Sequence, residues 1–212
     1  MEKKNIIISI GRQFGAGGRR IGKALAENLH FDYYDNELIT TTAKENGLDP
    51  EFFKKADEKS EKNYFLQQIE EYISGGFFTN SLLSNDQLFK LQSDTIRKLA
   101  EEKPCVIVGR CSDYVLRDNP YCISIFLHSS DEDRIERIKQ RMKEESDEKI
   151  KEMMTLADKR RAHYYNFYSN KSWGMSSTYT LSVDVSAVGE PATIEFLLGF
   201  IRKKAEQLGV EL

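Results

Sequence analysis

The chain has 212 residues, 40% of them hydrophobic and 31% charged, with 31 Lys and Arg against 34 Asp and Glu for a formal net charge of −3. That length suits one domain carrying an inserted lobe, with a core large enough to need no metal or disulfide staple. The slightly acidic balance argues against a nucleic-acid partner, so any anion site must be local, and no apolar run approaches the roughly 18 residues of a membrane span.

In chain order, the first apolar run is residues 5–10, which follows Met1-Glu2-Lys3-Lys4 with no apolar segment of signal-peptide length. A cytoplasmic location is expected. Four further short apolar, β-branched runs lie at 31–34, 105–108, 122–127 and 179–185. Most are continuous rather than alternating, the pattern of strands buried on both faces of a parallel sheet.

Helical patterns separate these runs. Ile21, Ala24, Leu25 and Leu29 recur at helical spacing over residues 17–29. Residues 82–99 open with Ser84-x-x-Gln87, a capping-box pattern, and carry Leu88, Leu91, Thr95 and Leu99 on one side. Ser130 precedes an acidic first turn (Asp131, Glu132, Asp133) and then Ile135, Ile138 and Met142. A last helix starts near Pro191 and runs through Ile194, Leu197, Leu198 and Ile201. Strands alternating with helices predict βαβ units, and so an α/β fold of three layers around a five-stranded parallel sheet.

Two excursions interrupt the alternation. Residues 36–100 form a mostly helical insertion, and residues 146–176 a second one. The latter holds a long helix with Ile150, Met153, Met154, Ala157, Arg161, Tyr164, Tyr165 and Tyr168 on one face, the tyrosines being expected to pack. The core of a single domain is then 1–35, 101–145 and 177–212. The charged run 139–151 reads as a solvated face. Cys105, Cys111 and Cys122 are odd in number and lack C-x-x-C spacing, which predicts buried thiols in a reducing compartment. His30, His128 and His163 lack ligand spacing, so no metal cluster is expected.

The strongest chemical signal is Ser9-Ile10-Gly11-Arg12-Gln13-Phe14-Gly15-Ala16-Gly17-Gly18-Arg19-Arg20-Ile21-Gly22. A buried strand ends, glycines permit unusual backbone angles, and a helix begins at once. Such a turn aims backbone N–H groups and a helix N-terminus at one point, which suits a phosphate. Arg12, Arg19 and Arg20 add charge there. The turn departs from the phosphate-binding pattern G-x-x-x-x-G-K-[ST]. Aligned on Gly15-Ala16-Gly17, the first glycine is Arg12, the lysine is Gly18, and the hydroxyl position falls on Arg19 or Arg20.

This opening segment resembles the signature of the cytidylate kinase-like family. Tyr33-Tyr34-Asp35-Asn36-Glu37-Leu38-Ile39 follows at the family's distance. Cys105-Val106-Ile107-Val108-Gly109-Arg110-Cys111-Ser112-Asp113-Tyr114 is similar to its third strand and loop, Asp158-Lys159-Arg160-Arg161-Ala162-His163-Tyr164-Tyr165 to its lid helix, and Trp173-Gly174 to the turn beyond. The resemblance implies a P-loop NTPase-type fold in which 36–100 is the insertion that binds a nucleoside monophosphate (NMP) and 146–176 the lid. It further implies transfer of the ATP γ-phosphoryl group to CMP or dCMP with Mg2+, the partners being small-molecule nucleotides.

Carried over by motif, Gly15, Ala16, Gly17, Gly18, Arg19 and Arg20 would hold the donor phosphates. Arg110 matches the arginine of a Gly-Arg-Asp motif beside the acceptor, whose aspartate is Cys111 here. Asp158 and Arg161 match the lid's Asp-x-x-Arg, which contacts the acceptor nucleotide and its phosphate, Asp35 stands where the NMP lobe begins, and Lys90 and Gln92 fall near an Arg-Arg-Gln stretch of that lobe. Arg12, Arg19 or Arg20 is expected to replace the missing lysine, with Arg110 and Arg161 clamping the acceptor side. Asp35 could equally cap a helix, and Asp158 could pair with a neighbouring basic residue. The missing lysine leaves two other readings open, a nucleotide sensor without turnover and a kinase whose acceptor is not a nucleotide.

Overall fold

The computed structural model describes residues 4–35 and 85–212. The most apolar run makes the centre. Ile7, Ile8 and Ile10 are wholly buried in strand β1 (Ile7–Arg12). β1 pairs in parallel with β3 (Cys105–Val108) on one side and β4 (Cys122–His128) on the other. β2 (Asp32–Tyr34) lies outside β3, and β5 (Leu181–Asp184) outside β4, giving the order β2-β3-β1-β4-β5 with every pairing parallel. The expected five-stranded parallel sheet is what forms.

Alternation along the strands assigns the two faces. Ile8, Ile10, Val106, Val108, Ile123, Ile125 and Leu127 meet helix α1 (Gly18–Leu29) and helix α6 (Gly189–Gln207). On the opposite face Ile7, Cys105 and Ile107 meet Ile96 and Ala100 of helix α2 (Asn85–Glu102) and Val115 of the short α3 (Ser112–Val115). Helix, sheet and helix make three layers. α2, at the end of the expected insertion, thus packs directly on the sheet.

Several local details differ from the pattern reading. The expected capping residue Ser84 lies outside the described residues. α2 runs on to Glu102, and its buried line is Gln92, Ser93, Thr95, Ile96, Leu99 and Ala100, with Leu91 only half-buried, because Ile96 and Ala100 make the contact with the sheet. β5 is shorter than the apolar run 179–185. Asp184 accepts a hydrogen bond from Ser186 N (2.9 Å) and turns the chain into a 3-10 segment at Val185–Ala187. α6 begins at Gly189, so Pro191 sits inside its first turn. Helix α4 (Asp131–Lys139) is capped as expected, Ser130 Oγ accepting from Asp133 N. Its Ile135 and Ile138, with Met142 in the turn beyond, pack on Ile150, Met153 and Met154 of the long helix α5 (Asp147–Ser169).

Two glycines in helices give substitutions of opposite sign. A Cβ on Gly22 would lie 2.9 Å from Val108 Cγ2 and 3.3 Å from both Ile10 Cδ1 and Tyr33 Cε2, all held by the sheet. Gly22→Ala is therefore expected to be net destabilising, overpacking of about 1–3 kcal/mol outweighing about 1 kcal/mol of helix propensity. Gly199, inside α6, would meet nothing within 4 Å, so Gly199→Ala should stabilise by about 0.5–1 kcal/mol. Urea unfolding of the two variants checks both signs.

Candidate functional site

The glycine turn lies at the carboxyl end of the central strand, where open parallel sheets place their ligands. Gln13 N donates to Leu127 O (3.0 Å), prolonging β1, and Gln13 Oε1 accepts from Ser129 N (3.1 Å). Gly15 (φ 82°) and Gly17 (φ 80°) adopt the left-handed backbone that a side chain would strain. A Cβ on Gly15 would lie 3.0 Å from Ile138 Cδ1 and 3.2 Å from the carbonyl oxygen of Arg134, so the turn can press close against α4. Ala16 is buried and α1 starts at Gly18. Gly17, as N-cap, brings no side-chain acceptor to the first turn of α1, the end of a helix at which an anion is favoured.

Arginines from β1, α1, α4 and α5, with Arg141 just beyond α4, surround this turn. Arg12, at the end of β1, lies against Gly18 and Gly109. Arg19 Nε pairs with Asp35 Oδ2 at 3.0 Å. Arg20 donates to Glu190 Oε1 at 2.8 Å, and Arg137 Nε reaches the same oxygen at 3.2 Å. Arg137 also donates to Gly15 O (2.8 Å) and pairs with Asp133. Desolvation, then Arg20 and Arg19, push Arg141 below the ordinary arginine range, Glu190 opposing, so Arg141 shares their field. Arg161 of α5 donates to Arg12 O at 3.0 Å, with its guanidinium 5.5 Å from the Phe14 ring centre.

Besides Asp35 and Asp133, two carboxylates reach the turn itself. Glu190 stands against the turn itself, since a Cβ on Gly17 would lie 3.1 Å from its Cδ. Asp158, expected on the acceptor side, accepts from Phe14 N at 2.7 Å through Oδ1 and pairs through Oδ2 with Arg134. Arg134, only 5% exposed at its side chain, also donates to Phe14 O at 2.7 Å. Phe14 is thus gripped at both its N–H and its C=O by the helices α4 and α5.

Across the cleft, β3 ends in three successive left-handed residues, Gly109 (φ 89°), Arg110 (φ 57°) and Cys111 (φ 52°). Non-glycine residues there are strained, and such strain gathers at functional sites. Arg110 acts on the hydroxyl of Tyr164, whose pKa burial raises and Arg110 lowers. Tyr164 in turn donates to Gln92 Oε1 at 3.4 Å. Arg110, Gln92 and α5 therefore meet at one place. Lys90 is exposed on α2 while Gln92 is buried; two residues apart on a helix, they face different ways. The tyrosines pack as expected: Tyr168 stacks on Phe89 at 3.9 Å and 8°, and Tyr164 meets Phe89 edge-on. All three cysteines are free thiols.

Pattern reading overlooked Arg134, Arg137, Arg141 and Glu190. A signal existed, because the three arginines recur at i, i+3 and i+7, one side of a helix. The run 139–151 is also less solvated than expected, since Met142 and Ile150 are buried. Among the described residues no group of His, Cys, Asp and Glu is arranged to hold a metal ion, and no helix is long and apolar enough to cross a membrane.

Beneath α5, Tyr165 donates to Asp113 Oδ2 at 2.6 Å. Burial raises the Asp113 carboxyl above its ordinary 3.8, the Tyr165 hydrogen bond opposing. An acid whose pKa is raised by folding contributes stability that is present below the unfolded pKa and lost as pH rises through the folded one. Asp113→Asn should accordingly change little at low pH and become progressively stabilising above pH 3.8. Melting temperatures of both proteins against pH test this; parallel curves would contradict it.

The cytidylate kinase-like family matches residues 7–187 of the chain. Among solved structures, an uncharacterized protein from Eubacterium ventriosum ATCC 27560 is 28% identical, with 93% of this chain and 98% of that chain covered and a TM-score of 0.70. A gluconokinase from Sinorhizobium meliloti 1021 is 17% identical over 98% of this chain and 97% of its own, TM-score 0.57. A shikimate kinase from Bacteroides thetaiotaomicron is 15% identical over 95% and 98%, TM-score 0.52. The last two share the fold, which is that of P-loop kinases. No curated protein matches the sequence.

Proposed function

We propose, since the chain belongs to the cytidylate kinase-like family, that it transfers the γ-phosphoryl group of ATP to a nucleoside monophosphate such as CMP or dCMP. The observation that carries this reading is the ring of arginines around the glycine turn, Arg12, Arg19, Arg20, Arg137, Arg141 and Arg161. Phosphoryl transfer asks little covalent help of a protein; it needs in-line positioning and neutralised oxygens. The Gly15–Arg20 turn receives the donor phosphates, which displace Glu190 from Arg20 and Arg137. Arg110, Arg161, Gln92 and Asp35 face the acceptor, and residues 146–176 act as the lid, whose closure excludes water. Free thiols suit a reducing, cytoplasmic compartment.

Magnesium fits this turn poorly. The position where a P-loop holds the ion by a hydroxyl is an arginine, and a guanidinium does not ligate a cation. In this reading Mg2+ arrives with the triphosphate, and no step is routed through a protein-held ion.

A sensor without turnover is the second reading, favoured by Asp158 and Glu190 already seated at the turn. A thermal-shift screen of ATP, GTP, CMP, dCMP, UMP and AMP with magnesium, followed by an ADP-release assay, separates the two. Stabilisation by ATP and by CMP or dCMP, with ADP released only when both are present, supports the kinase. Stabilisation without release selects the sensor, and release with a non-nucleotide acceptor overturns the NMP assignment.

A further inference from the structure

Two of the three departures from the phosphate-turn pattern are six residues apart and complementary: the pattern's glycine is Arg12 and its lysine is Gly18. In the fold these positions touch. A Cβ on Gly18 would lie 2.7 Å from Arg12 Cγ and 3.0 Å from Arg12 Cβ. Those atoms are the root of the arginine side chain, which cannot swing aside. Farther along, a Cβ on Gly109 would lie 3.0 Å from Arg12 Cζ and 3.2 Å from its Nη2, so the guanidinium rests on bare backbone at the end of β3. Two glycines from separate elements thus leave a channel for one arginine. The carbonyl of Arg12 is fixed from α5 by Arg161 at 3.0 Å, and the Arg12 guanidinium acts on Tyr33 in β2.

We propose that Arg12 performs the phosphate-bridging task of the absent lysine, entering from the end of the central strand through the room that a side chain at position 18 would fill. Arg12 and Gly18 form a reciprocal exchange of the usual Gly and Lys. Arg19 and Arg20, the other candidates, reach Asp35 and Glu190, and neither is the residue that fills the space beside Gly18. A guanidinium lying between the turn and Arg110 can grip two non-bridging oxygens of a phosphate at once, where an ammonium acts as a point charge. The inference rests on the donor-site reading above and assigns one residue within it.

Calorimetric titration with inorganic tripolyphosphate, and separately with ATP, tests it on the wild type, Arg12→Ala, Arg12→Lys, Gly18→Lys and the double variant Arg12→Gly/Gly18→Lys, each checked for folding by circular dichroism. Loss of a charged hydrogen-bonding group predicts tripolyphosphate binding about 10- to 100-fold weaker in Arg12→Ala, with Arg12→Lys in between. Gly18→Lys alone should melt lower and bind no better than the wild type, because Arg12 already fills the space. The double variant should regain most of the affinity lost in Arg12→Ala. Unchanged affinity in Arg12→Ala, with a wild type that binds, overturns the role of Arg12 and leaves the donor site standing. A folded double variant as weak as Arg12→Ala overturns the exchange; if it does not fold, the two single Arg12 variants decide. A wild type that binds neither probe overturns the donor-site reading as well.

Discussion

Replacing Asp158 with alanine is expected to destabilise the protein by about 3 kcal/mol, the cost typical of stranding a buried charge. The Arg134 side chain is 5% exposed and that of Asp158 16%. Arg134 has one further carboxylate, on the more exposed Asp131 at 3.3 Å. Losing Asp158 also removes the acceptor of Phe14 N (2.7 Å), freeing the turn at the bond that ties it to α5. Asp158→Asn keeps an acceptor for that N–H but not the charge, and should fall between wild type and Asp158→Ala. Urea unfolding measures both. Losses below about 1 kcal/mol would mean that Arg134 is satisfied without its partner and that α5 does not clasp the turn.

Replacing Arg110 has the second large effect, on turnover rather than folding. An arginine that stabilises the charge of a phosphoryl-transfer transition state is worth roughly 10³ or more in rate. Arg110→Ala should lose about that factor in ADP release with whichever acceptor the screen identifies, and Arg110→Lys should recover little because the planar fork is gone. The backbone supplies an internal control. With φ at 57° in the wild type, Arg110→Gly relieves a left-handed strain of order 1 kcal/mol. That variant should melt at or above the wild-type temperature while turnover collapses. A purely structural arginine would move the two readouts together.

Much of the architecture was legible from residue types alone. Continuous runs such as Ile6-Ile7-Ile8 and Cys105-Val106-Ile107-Val108 mark strands covered on both faces, and the sheet buries both runs. The Ser130 cap follows from a hydroxyl ahead of an acidic turn and a periodic apolar stripe. The glycine turn was readable because left-handed backbone selects glycine at positions 15 and 17.

The surrounding charges were harder to place. Arg134 precedes the apolar positions Ile135 and Ile138 of a capped helix, and its burial depends on a carboxylate 24 residues later in another helix. Glu190 looks like an ordinary acidic first-turn residue until α6 is docked beside Gly17. The contact of Arg12 with both Gly18 and Gly109 exists only once β1 and β3 are paired. Which arginines converge is a property of packing, and one-dimensional periodicity carries no record of it.

Amide NMR during an ATP titration addresses the donor site most directly. The shifts should be largest at Gly15, Gly17, Gly18 and Arg19, saturate together, and be reproduced there by tripolyphosphate, while the amides of β3 and the far end of α6 stay put. Saturation with nucleotide that leaves those four amides unmoved, or moves only residues elsewhere, would contradict phosphate binding at the glycine turn.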